Sequence, residues 1–259
     1  MLFYRSLAPI QALTFDLDDT LYDNRPVIKQ VEAKATEWLL TQHPVTATRP
    51  LSWWQALKRD IAKQFPEQCH DVSEWRYLQV MHGLIQLGYA QPQAEQAARD
   101  TLEEVMFWRN QVDVPAETHR VLAELAAKMQ LIAITNGNVQ VEKIGLSDYF
   151  QSVLRAGPDG RAKPYADLFQ LAAQQLQLPA GSILHVGDHL QTDVLGARQS
   201  GFQACWFNDQ GQSIRRQSKA SVLPDVEIEC LPQLLSIVNR VHIIGSQKSH
   251  CLGIEYGLR

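Results

Sequence analysis

Three carboxylates stand almost side by side at Asp16, Asp18 and Asp19, directly after the apolar run Ala12-Leu13-Thr14-Phe15. Two carboxylates about 4 Å apart repel by ~4 kcal/mol at an effective dielectric near 20, so a folded chain holds them together only with a raised pKa or a bound cation. Three more polar clusters follow apolar runs in the same way. They are Thr135-Asn136 after Leu131 to Ile134, Arg161 with Lys163 after Ser152 to Leu154, and Asp188 with Asp193 after Ile183 to Val186.

Together these groups match what phosphate monoester hydrolysis demands. The uncatalysed reaction is so slow that accelerations approach ~10²¹, and no single group supplies that. It needs an in-line nucleophile, a proton for the leaving alkoxide, and positive charge on the transferring phosphoryl group. Asp16 is the candidate nucleophile, since an aspartate can form an aspartyl-phosphate and split one displacement into two. Asp18, two positions on, is the candidate acid and base. Thr135 and Asn136 offer a hydroxyl and an amide to phosphoryl oxygens, and Lys163 offers a point charge. Mg²⁺ prefers carboxylate, phosphate and water oxygens, and Asp16, Asp18 and Asp188 are its expected ligands. Asp193 is expected to support the site, by holding Lys163 or orienting a metal-bound water.

The elements that must position these residues are legible in hydrophobic periodicity. Short continuous apolar runs at 12–15, 131–134, 152–154, 183–186 and 203–206 alternate with helical segments at 118–128, 165–176 and 192–200. Such strands between helices imply a parallel sheet covered on both faces, a doubly wound, Rossmann-like α/β core. In open sheets of this kind ligands bind beyond the carboxyl ends of the strands, where all four clusters fall. Between the first and second of these runs, 24–112 carries helical spacing broken by Pro44, Pro50, Pro66, Gly88 and Pro92. The expected organisation is a core of 1–23 and 113–240, an all-helical insert over 24–112 after the first strand, and an unassigned tail over 241–259.

Composition narrows the partner. A net charge of −4 with no long basic run argues against nucleic acid or an anionic membrane surface, and favours a small molecule. No stretch reaches the roughly 18 apolar residues of a spanning helix, and no signal-peptide pattern precedes the first strand. Cys69, Cys205, Cys230 and Cys251 form no C-x-x-C pair, so neither a disulfide framework nor a zinc site is indicated, and a reducing cytoplasm is expected. Oligomeric state is not legible.

The segments DLDDT, TNG, KP and GDHLQTD, in that order, resemble the four motifs of the haloacid dehalogenase-like phosphatases. That resemblance implies an aspartyl nucleophile at Asp16, an acid/base at Asp18, Thr135 and Lys163 at the phosphate, an acidic metal ligand at Asp188, and a mobile helical cap in the place of 24–112. More narrowly, LTFDLDDTLYDNRPVI, HDVSEWR, AITNGN, LRAGPDGRAKP and DVLGARQSGFQACW resemble the bacterial flavin-pathway phosphatases. The implied substrates are flavin mononucleotide and 5-amino-6-(5-phospho-D-ribitylamino)uracil. His189 stands where many relatives carry a second acidic residue.

Five of the six tryptophans, Trp38, Trp53, Trp54, Trp75 and Trp108, fall in the insert. Packing of the insert's own interior is the favoured reading for any one of them. Among its polar residues His70, Asp71, Trp75 and Arg76 are the candidate substrate contacts. Three rival activities use the same constellation: carbon–halogen hydrolysis, phosphoryl shift within a sugar phosphate, and a persistent aspartyl-phosphate that switches a partner.

Overall fold

A computed structural model describes residues 1–217 and 221–239, so the tail over 241–259 lies outside the described residues. A seven-stranded sheet runs in the order β1-β7-β6-β5-β2-β3-β4, from β1 (Leu2–Phe3), β2 (Ala12–Phe15), β3 (Gln130–Thr135), β4 (Ser152–Arg155), β5 (Ile183–Gly187), β6 (Gln203–Phe207) and β7 (Val226–Ile228). All neighbours are parallel except β1, which pairs antiparallel with β7 at the edge. The chain builds outward from β2 to β3 and β4, then returns to the other side of β2 to lay down β5. The strand order therefore reverses between β2 and β5, and the crevice at that reversal is where a ligand fits.

The five long strands are the apolar runs of the sequence, and both their faces are covered. Leu13, Phe15, Leu131, Ala133, Leu184 and Val186 face one apolar cluster with Val121, Leu122 and Leu125 of α5 (Ala116–Ala126). The alternate residues Ala12, Ile132, Ile134 and Ile183 face another, with Leu168, Phe169, Ala172 and Leu176 of α6 (Asp167–Leu176). This period-two alternation fixes the strand register, since a slip of one residue would exchange the two faces.

Residues between β2 and α5 form four helices, α1 (Arg25–Gln42), α2 (Leu51–Gln64), α3 (Val72–Gln86) and α4 (Gln91–Arg109). Pro26 lies in the first turn of α1, where a missing N–H costs nothing, and Val27, Val31 and Ala35 recur at four-residue spacing on its buried stripe. Asp71 caps α3, its carboxylate accepting from the N–H groups of Ser73 at 2.7 Å and Glu74 at 3.3 Å. The helices bury their own apolar clusters, one around Val80, Leu84, Ala94 and Ala98 and another around Leu57, Ile61 and Leu78. No helix among the described residues is long and apolar enough to cross a membrane.

Candidate active site

The site assembles at the carboxyl ends of β5, β2 and β3, three adjacent strands. Asp16 follows β2 and its N–H donates to Val186 O at 2.9 Å, so the sheet ladder itself fixes the residue. Lys163 arrives from the connection between β4 and α6. The Asn136 side chain holds it there, donating to Lys163 O at 2.9 Å and accepting from Lys163 N at 2.7 Å. The Lys163 ammonium is buried and donates to Asp16 Oδ1 at 2.7 Å, Asp193 Oδ1 at 2.6 Å and Ile134 O at 2.7 Å.

Asp188 leaves β5 just after Gly187. Its backbone N–H donates to Thr20 Oγ1 at 3.1 Å, and that hydroxyl lies 3.3 Å from Asp16 Oδ2. Thr20 thus links Asp16 to Asp188, its hydroxyl also lying 3.5 Å from Asp188 Oδ1. Behind them His185 on β5 lies against Asp193 at 3.3 Å and against Thr14 at 2.9 Å. A carboxylate only accepts, so Nε2 carries the imidazole hydrogen and Nδ1 accepts from the threonine hydroxyl.

Carboxylate oxygens of Asp16, Asp188 and Asp193 lie within 4.8 Å of one another. The sequence spacing predicts that Asp16, Asp18 and Asp188 gather, and the structure departs from this at one position. Asp193 completes the group, while the Asp18 carboxylate is engaged by Arg109, whose Nη2 lies 2.5 and 2.7 Å from its two oxygens, and by the Tyr22 hydroxyl at 2.6 Å. Asp193 holds Lys163, as its supporting role requires. It is buried inside the π-wound segment Leu190–Leu195, and His189 caps that segment by accepting from Thr192 N at 3.1 Å. The His189 side chain is thereby placed at the helix start.

Charge is out of balance in this group. Burial raises Asp16 well above the usual carboxylate range, with Asp193, Asp188 and Asp18 adding to the rise and Lys163 opposing it. Burial likewise pushes Asp188 up to about 7. Burial also acts on Asp193, yet the ammonium of Lys163 overcomes it and holds that carboxyl below its usual range. Lys163 is itself desolvated, but Asp16 and Asp193 keep it charged at about 12. His185 is held neutral, its pKa pushed down to about 4 by burial. One ammonium faces three carboxylates, so the all-oxygen donor set fits a hard divalent cation such as Mg²⁺.

Of the remaining candidates, Thr135 is buried at the end of β3 with its hydroxyl accepting from Gly137 N at 2.9 Å. The Asn136 side chain is committed to the lysine backbone, which makes it the holder of that lysine. His70 meets the core, with Nδ1 accepting from Ala162 N at 3.3 Å and its ring edge-on to Tyr165. Asp71 packs so closely on Gly157 that a Cβ there would fall inside contact distance, and Gly157 has φ +94°. Trp75 and Arg76 are engaged within the insert, where Trp75 Nε1 donates to Lys58 O at 3.0 Å and Arg76 pairs with Glu32. Sequence spacing gives no sign of Arg109, Tyr22 or His185. Arg109 lies 91 residues from Asp18 on a helix of mixed polarity, and no short-range pattern joins them.

A doubly wound sheet with an acidic nucleophile candidate at its switch point and a lysine held on it defines a class of hydrolase. Residues 10–201 match the family model of the haloacid dehalogenase-like hydrolases, and the chain belongs to that family. It is 44% identical over 238 residues to the 5-amino-6-(5-phospho-D-ribitylamino)uracil phosphatase YigB of Escherichia coli (strain K12), covering 92% of this chain and 100% of that one. It is 26% identical over 244 residues to a glyceraldehyde 3-phosphate phosphatase of Pyrococcus abyssi, covering 92% and 97% of the two chains. Among solved structures, a 2-haloacid dehalogenase from Pseudomonas syringae pv. Tomato DC3000 superposes with a TM-score of 0.83 at 36% identity, over 89% of this chain and 99% of that one.

Proposed function

We propose that this hydrolase is a Mg²⁺-dependent phosphatase of a small organic monoester, with 5-amino-6-(5-phospho-D-ribitylamino)uracil as its substrate and flavin mononucleotide as the alternative ester. The observation that carries the reading is the convergence of Asp16, Asp188 and Asp193 around a single lysine. The likeness to the YigB phosphatase over nearly the whole chain supports the substrate. Residues 1–23 and 113–240 act as the catalytic core in this reading, and 24–112 as a cap that selects the ester. Free Cys69, Cys205 and Cys230 are consistent with a reducing, cytoplasmic setting.

A carboxylate oxygen of Asp16 is the attacking atom, the two oxygens being held by Lys163 at Oδ1 and Thr20 at Oδ2. A bond forms from the carboxylate to phosphorus as the ester P–O bond breaks, and Asp18 gives a proton to the leaving oxygen. Water then attacks the aspartyl-phosphate while Asp18 takes its proton, and inorganic phosphate leaves. Lys163 and Thr135 stabilise the equatorial phosphoryl oxygens, with Asn136 and Asp193 fixing the lysine. Asp16, Asp188 and Asp193 are the residues that would hold Mg²⁺, which when bound neutralises charge on the transferring group.

The test is a phosphate-release screen across metabolite monoesters with Mg²⁺ and with EDTA. The expected result is Mg²⁺-dependent release from the ribitylaminouracil phosphate, abolished in a folded Asp16→Asn variant. Turnover surviving in that variant would remove Asp16 from its role. The similarity to the Pseudomonas syringae dehalogenase favours one second reading, carbon–halogen hydrolysis by the same aspartate. Halide release that persists in EDTA would select it.

A further inference from the structure

Arg109 is the last residue of α4, yet it is almost wholly buried, 2% exposed, and its guanidinium lies on the Asp18 carboxylate. Nη2 meets both oxygens of Asp18, Nε donates to Asn138 Oδ1 at 3.2 Å, and Nη1 is buried with no hydrogen-bond partner among the described residues. A buried donor left unpaired costs about 1–3 kcal/mol, so internal satisfaction does not explain an arginine here. The same Asn138 donates through Nδ2 to Ser73 Oγ on α3 at 2.9 Å. Asp18 is thereby tied to two insert helices through one arginine and one asparagine. Gly137 makes room for this, since a Cβ there would strike Asp18 Oδ2 and press on Arg109 Nη2.

We propose that Arg109 is a positioning residue that aims Asp18 at the leaving oxygen, and that it makes proton delivery depend on the seating of the helical insert. The proposal rests on Asp18 being the acid of the proposed reaction. Tyr22 donates to Asp18 Oδ1 as well, at 2.6 Å, but it belongs to the loop after β2 and not to the insert. Arg109 is the contact through which α4 reaches the proton donor. A lysine in its place would keep a charge and lose the second nitrogen, Nε, that bonds Asn138 while Nη2 holds Asp18.

Leaving-group dependence tests this, because a good leaving group needs little protonation and a merely structural defect does not distinguish esters. kcat/KM is measured for an alkyl phosphate and for p-nitrophenyl phosphate in wild type, Arg109→Gln and Arg109→Lys, since it reports the steps up to and including ester cleavage. The alkyl-to-aryl ratio is expected to fall by about 10–100-fold in Arg109→Gln, within the ~10²–10⁴ that an acid contributes. Arg109→Lys is expected to recover part of that ratio. Should Arg109→Gln fail to fold, Asn138→Ala, which releases Nε and leaves the arginine in place, is expected to lower the ratio about threefold or more. Equal loss on both esters, or a rise in alkyl turnover, overturns the proposal while leaving the phosphatase reading intact. Loss of that reading appears instead as phosphate release by Asp16→Asn.

Discussion

Replacing Lys163 by methionine removes the single ammonium from a group of three carboxylates while nearly conserving side-chain length. Its two ion pairs are short, 2.7 Å to Asp16 and 2.6 Å to Asp193, and both partners are buried. Removing one member of a buried pair costs about 3–5 kcal/mol, because the remaining charge has neither water nor counter-ion. For a chain of this size that corresponds to a fall in Tm of roughly 10 °C. Without the ammonium the carboxyls have pKa values raised above those of the unfolded chain. Their stabilisation is then greatest at low pH and is lost as pH rises, so the deficit is expected to be larger at pH 8 than at pH 5. The same excess negative charge is expected to tighten Mg²⁺ binding at least tenfold, ~1.4 kcal/mol, even as phosphate release disappears. Urea unfolding at the two pH values gives the first quantity and calorimetric titration with Mg²⁺ the second. A loss equal at pH 5 and pH 8, or a weaker Mg²⁺ affinity, would refute the charge imbalance.

Gly137→Ala places a methyl against Asp18 Oδ2, and kcat/KM for an alkyl phosphate is expected to drop about 10–100-fold with little change in Tm; unaltered turnover in a folded variant would contradict the close approach. His185 is held from 6.5 down to about 4 by burial, so its contribution is complete above pH 6.5 and vanishes as pH falls through 4. The span is worth about 3 kcal/mol. A His185→Gln variant is expected to lose correspondingly less stability between pH 7 and pH 4 in urea titrations, and parallel curves for the two proteins would refute the assignment.

Much of this was legible because the core strands are short, continuous and apolar, and each ends at a polar cluster. Asp16, Thr135 and Asp188 fall at strand ends by that logic alone, since β2, β3 and β5 are adjacent. Lys163 was legible as a residue type, but its seat depends on Asn136 bonding its backbone across 27 residues. The edge strand β1 and its neighbour β7, of two and three residues, are too short to carry a period. Arg109 escaped because its meaning lies in a contact between α4 and the first motif, and helix periodicity sees only the helix. Trp75 and Arg76 drew attention by type, while their partners Lys58 and Glu32 sit within the insert.

The insert helices keep their own apolar clusters, apart from those flanking the sheet. With the insert in its proposed role of cap selecting the ester, what is accepted can be reshaped without retuning the reaction, provided a handful of polar ties survive. Exchanging α2 and α3 with those of a related chain, while Ser73 and Arg109 are retained, amounts to changing the lock's keyhole and leaving its bolt untouched.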